Sequence, residues 1–311
     1  MHFAFLFPGQ GSQFPGMGAN YLKEFPYIRE YFLEASEILH FDIMNLCLNG
    51  PESQLNLTQN AQPSILVLSY CSFQILQKET DFRPFIMAGH SLGEISALCC
   101  AGAISFTDAV AIVRKRGELM QLAVKNGNGA MTALNGLPIE EVEKLCALEK
   151  PGGCAVISNI NSERQIVVSG LKESVEAIGN KARLMGAVTI PLRVSAPFHS
   201  PLMKPAAEGL EDELNKYKFR ALAYPVISNL TCKPYLDEND IIPLLTGQVT
   251  SEVNWLKIMS YIGKTCVDIT LELPPKKTLT KLFQLTQSKI KNYSFDQLEE
   301  LKTTLNGVIN N

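Results

Sequence analysis

No apolar run in this sequence is long enough to span a bilayer. The longest, SILVLSYCSFQIL from Ser64 to Leu76, is short and broken by polar residues. The N-terminal MHFAFLFPGQ lacks a basic region and a small-residue cleavage site, so it does not read as a secretion signal and reads instead as a first buried strand. No membrane association is expected. The eight cysteines are scattered without any Cys-x-x-Cys pair, which gives no metal-ligand spacing and points to a reduced, cytoplasmic setting. Charge is also sparse: 19% of residues are charged and the net charge is −3, so nucleic acid is not an expected partner. Histidine is scarce enough to be taken one by one, as His2, His40, His90 and His199.

The chain has 311 residues, 46% of them hydrophobic, enough for one large core or two smaller ones. Its first part alternates short apolar runs (Phe3 to Phe7, Phe85 to Ala88) with longer helical patterns, which predicts a parallel sheet covered by helices. A further helix is predicted from SFTDAVAIVRKRGELMQLAV, with Ser105 as its cap and Asp108 three residues later. KNGNGAM then breaks the pattern. From Ala130 the order reads strand, helix, strand, strand, helix, strand, a ferredoxin-like βαββαβ module inserted into the larger α/β part. The boundaries predicted are 1–125 and 195–311 for the large subdomain and 126–194 for the small one. The C-terminal segment from Phe295 through Leu298, Leu301, Leu305 and Val308 predicts a docked amphipathic helix.

The stretch PFIMAGHSLGEIS carries the chemistry most plainly. A strand running through Gly-x-Ser-x-Gly into a helix is the context of a nucleophile elbow, in which a sharp turn presents a serine hydroxyl above the sheet. Gly89 and Gly93 permit close backbone approach, and the helix starting near Leu92 aims its first N–H groups around Ser91. The bland alternative is a serine N-cap between two packing glycines. A serine needs a base to take its proton. His90, adjacent in sequence, turns its side chain away from that of Ser91, whereas His199 follows a strand-like LRVSAP at a predicted sheet end and is the better candidate. A structural histidine stays open there.

The glycines of FPGQGSQFPGMG do not make a phosphate loop, because position 14 is Phe and no Gly-Lys-Ser/Thr follows. A strand-end glycine turn can instead supply a backbone N–H to an oxyanion hole, or be a plain strand-to-helix turn. Arg116 flanks the apolar side marked by Val110, Val113 and Gly117. It could hold a carboxylate bidentately or, beside Arg114 and Lys115, simply be a solvated charge.

Taken together, FPGQGSQ, GHSLGE, VRKRGELMQ, APFHSPLMKPAAE and PVISN resemble the malonyl-CoA:acyl-carrier-protein transacylases in order and spacing, from Phe3 to about Leu285. The resemblance implies an α/β-hydrolase-like large subdomain with an inserted ferredoxin-like one. It also implies an acyltransferase that moves malonyl from malonyl-CoA to the phosphopantetheine thiol of a holo acyl carrier protein, in fatty-acid or trans-acyltransferase polyketide synthesis. By the same resemblance Ser91 is the acylated nucleophile, His199 its base, and the Gln10 and Leu92 amides form the oxyanion hole. Arg116 then pairs with the malonyl carboxylate, Phe198 crowds the acyl α-carbon and favours malonyl, and the Gln248 backbone carbonyl orients the histidine in place of an acidic residue. No resident cofactor or metal is implied, and a monomer is expected. Where the family has Gly-Pro-Gly this chain has LELPPKKTLTKL, with Pro274, Pro275 and Lys276. Lys276, Lys277, Lys281, Lys289 and Lys291 read either as a basic run facing an acidic carrier protein or as a solvated helix face. Two other functions fit the same residues: a hydrolase clearing stalled acyl groups from carrier proteins, and a non-catalytic carrier-binding module.

Overall fold

The computed structural model describes residues 1–124, 128–149, 155–194, 196–286 and 289–309, from 304 on as backbone alone. In chain order the strands are β1 (Phe3–Phe7), β2 (Pro84–Gly89), β3 (Gly129–Asn135), β4 (Ala155–Ser162), β5 (Gln165–Leu171), β6 (Val188–Pro191), β7 (Val226–Ile227), β8 (Ile269–Glu272) and β9 (Lys291–Ser294). They build two sheets, one ordered β7-β2-β1-β8-β9 and the other β4-β5-β3-β6.

Every pairing in the five-stranded sheet is parallel. β1 lies at its centre, and its uninterrupted FAFLF is buried throughout, as a parallel strand covered on both faces requires. Each such Phe or Leu contributes about 1.5–3 kcal/mol through burial. Phe7 pairs with Gly89, and Leu6 with Glu272, so β1, β2 and β8 end level with one another. Their following loops therefore emerge side by side at the carboxyl end of the sheet, where ligands bind in open α/β sheets.

The four-stranded sheet is antiparallel at every pairing. With the helices Ile139–Leu148 and Lys172–Leu184 it forms the ferredoxin-like βαββαβ module. Val142 and Leu145 from the first helix and Val175 and Ile178 from the second pack on Ile166 and Val168 of β5.

Contacts group the chain into two compact units, one of Met1–Arg114, Arg220–Ile227 and Met259–Asn311, the other of Lys115–Phe219 and Ser228–Ile258. The second unit thus takes in more chain than the predicted 126–194, because Lys204–Leu214 and Ile241–Thr250 pack as helices within it. The predicted joints themselves fall at 125–127 and 195, outside the described residues.

Candidate active site

Within the first unit, β2 leads through His90 to Ser91, which precedes the helix Leu92–Cys100. Ser91 has φ 53° and ψ −107°, a left-handed conformation that costs a non-glycine residue about 1–3 kcal/mol. The surroundings enforce it. A Cβ on Gly89 would overlap the backbone of Gly93, and one on Gly93 would overlap the carbonyl of Phe7, so the elbow closes only with glycine at both positions. The turn is pinned by His90 N–H donating to the Phe7 carbonyl at 3.0 Å and by Glu94 N–H donating to the Ser91 carbonyl at 3.0 Å. Ser91 stays half-buried, while Leu92 after it is fully buried.

The loop after β1 lies against this elbow: a Cβ on Gly9 would sit 2.5 Å from the His90 carbonyl oxygen and 3.4 Å from its Nδ1. Neither the Gln10 nor the Leu92 backbone N–H donates to a protein acceptor among the described residues. Backbone N–H groups that no protein acceptor occupies are what an oxyanion would require.

The second unit holds a different cluster. Arg116, on the helix Phe106–Leu122, is 1% exposed, which excludes the solvated-charge alternative that its neighbours Arg114 and Lys115 suggested. Its Nη2 donates to Gln248 Oε1 at 2.9 Å. The backbone carbonyl of Gln248 lies 2.9 Å from Nδ1 of His199, which is 4% exposed. A carbonyl can only accept, so Nδ1 carries a proton and donates it to this bond. Phe198, beside His199 in sequence, is buried as well. Arg116, Gln248 and His199 are thereby joined in one hydrogen-bonded chain, while Ser91, Leu92 and Gln10 are gathered in the other unit.

The acyl transferase domain family matches residues 4–265. The chain belongs to this acyl transferase family. The malonyl CoA-acyl carrier protein transacylase of Escherichia coli (strain K12) is 42% identical over 281 residues, 90% of this chain and 91% of that one. Among solved structures, the malonyl CoA-acyl carrier protein transacylase from Coxiella burnetii is 36% identical, with a TM-score of 0.94 over 98% of this chain and 96% of its own. A malonyl-transacylase solved in complex with a type II PKS acyl-carrier protein is 38% identical, with a TM-score of 0.92 over 94% of this chain and 96% of that one.

Two contacts in this acyl transferase chain were not foreseen from the sequence. The side chain of Gln248 engages Arg116, so one residue serves both neighbours. Lys276, where the family pattern has glycine, donates to the Gly11 carbonyl at 3.2 Å. The lysines of the suspected basic run are all exposed, yet they occupy a loop (Lys276, Lys277), a helix (Lys281), a turn (Lys289) and β9 (Lys291), so they do not form one helix face.

Proposed function

We infer that this chain is an acyltransferase that carries malonyl from malonyl-CoA to the phosphopantetheine thiol of a holo acyl carrier protein. The observation that carries the reading is the elbow: a serine held at φ 53° at the start of a helix, with the Leu92 amide next in the chain and the Gln10 loop lying against His90. The names of the similar proteins support the choice of acyl group and carrier.

In this reading His199 Nε2 takes the proton of Ser91 as the hydroxyl attacks the thioester carbonyl. The Leu92 and Gln10 amides stabilise the tetrahedral oxyanion, and His199 returns the proton to the departing CoA sulfur. The carrier's phosphopantetheine thiol then gives its proton to His199 and attacks the malonyl ester, and His199 passes that proton to the Ser91 oxygen as the ester bond breaks. The Gln248 carbonyl does the orienting work of the aspartate in a Ser-His-Asp triad. Arg116 binds the malonyl carboxylate and Phe198 limits bulk at the α-carbon. The exposed lysines around Lys276 supply complementary charge to an acidic carrier. The reading needs no resident cofactor, since phosphopantetheine arrives on the partner. The free thiols at Cys47, Cys71, Cys99 and Cys100 support a cytoplasmic setting, and we propose that the chain acts as a monomer.

Incubation with malonyl-CoA followed by intact-mass analysis should give stoichiometric malonylation that Ser91→Ala abolishes. Subsequent holo carrier protein should discharge it. An unmodified parent would sink the catalytic reading in favour of a binding module, and rapid release of free malonate from malonyl-carrier protein would favour the hydrolase. Transfer rates to fatty-acid and polyketide carriers then identify the pathway.

A further inference from the structure

We propose that Ser12 is a positioning residue for the oxyanion hole, fixing the direction of the Gln10 N–H. The inference rests on the reading above, in which Gln10 is one of the two oxyanion donors.

Residues 9 to 12 form a tight turn in which the Ser12 N–H donates to the Gly9 carbonyl at 3.3 Å. Gly11 has φ 97° and Gln10 is not among the positive-φ residues, the signature of a type II turn. The Ser12 hydroxyl donates to the same Gly9 oxygen at 2.7 Å, the shorter of the two bonds, and Ser12 is only 4% exposed. The Gly9 carbonyl and the Gln10 N–H belong to one planar trans peptide and point in opposite directions. A doubly held Gly9 oxygen, drawn into the turn, therefore turns the Gln10 N–H outward from the turn, in a loop whose Gly9 lies against the His90 carbonyl. The adjoining peptides are tied as well: Gly11 N–H donates to Gln13 Oε1 at 2.8 Å, and the Gly11 carbonyl accepts from Lys276. Of these ties, only the one from Ser12 acts on the peptide that carries the proposed donor.

Ser12→Ala leaves the Gly9 carbonyl with its bond from the residue-12 N–H, so the turn survives, but the peptide is less firmly held. Loss of an oxyanion donor costs roughly 10²–10³ in kcat, and a loosened one should cost about tenfold. The test is rapid-mixing acylation of Ser91 by malonyl-CoA, comparing parent, Ser12→Ala and Ser12→Thr. The expected result is a burst rate constant about tenfold lower in Ser12→Ala, with unchanged burst amplitude and KM, and recovery in Ser12→Thr, which retains the hydroxyl. An unchanged rate constant, a lowered amplitude alone, or a Ser12→Thr variant as slow as Ser12→Ala would each overturn the inference. A parent that shows no acylation would instead overturn the underlying functional reading, so the two failures are told apart.

Discussion

Arg116 shows how one buried charge can set acyl selectivity. Arg116 is 1% exposed and its guanidinium is steadied by the neutral Gln248 amide, so it offers a fixed positive site. Removing one partner of a buried ion pair costs about 3–5 kcal/mol, which corresponds to roughly a hundredfold or more in rate ratio. We expect Arg116→Ala to lower the ratio of kcat/KM for malonyl-CoA over acetyl-CoA by about that factor. Steady-state kinetics with both thioesters would show it, and an unchanged ratio would remove Arg116 from the proposed role. Legibility at this scale follows locality. Gly89, Ser91 and Gly93 are neighbours in sequence, and the clash that requires glycine at 89 is with Gly93 itself, although the one at 93 is with the distant Phe7 carbonyl. Arg116 alone reads as well for solvent as for substrate, because the contact that fixes its side chain lies 132 positions away in Gln248.

Among the elements, β1, β2 and the ferredoxin-like strands were legible because each is a compact run of apolar or alternating residues. β8 and β9 were not. ITLE is short and ends on a carboxylate, and KNYS has no apolar pattern, since it pairs with β8 alone at the sheet edge. The carboxylate has a consequence of its own. Glu272, 1% exposed, accepts from the N–H groups of Leu279 and Thr280 at 2.9 and 2.6 Å, in the first turn of the helix Thr278–Thr286. Burial pushes its carboxyl up to about 7, while these backbone donors pull the other way. The folded chain thus holds this proton to higher pH than the unfolded chain does. The stabilisation it gives is complete below about 4.5 and is lost as pH rises through about 7. Urea unfolding near pH 5 and near pH 8 should show the parent losing about 2–3 kcal/mol more than Glu272→Gln over that interval. A gap between the two proteins that did not move with pH would contradict this.

Across the whole molecule, burial sorts the thiols. It raises the Cys47 thiol to about 12 and pushes those of Cys71, Cys99 and Cys100 far above the ordinary range, whereas Cys266 is exposed. Thiolate is the reactive form. Brief alkylation of the native protein, mapped by peptide mass spectrometry, should therefore modify Cys266 and spare those four until denaturant is added. Early modification of Cys99 or Cys100 would mean that the core behind the elbow opens readily.

The central place of β1 also bears on how the chain is made. Its partner on one side, β8, begins at Ile269, more than 260 residues further along, whereas the ferredoxin-like sheet pairs only strands lying between residues 129 and 191. Contacts of long sequence separation form slowly, and domains fold as units while a chain emerges from the ribosome. The ferredoxin-like module can close early in synthesis. The strand that carries the Gln10 turn must wait for a partner made more than 260 residues later.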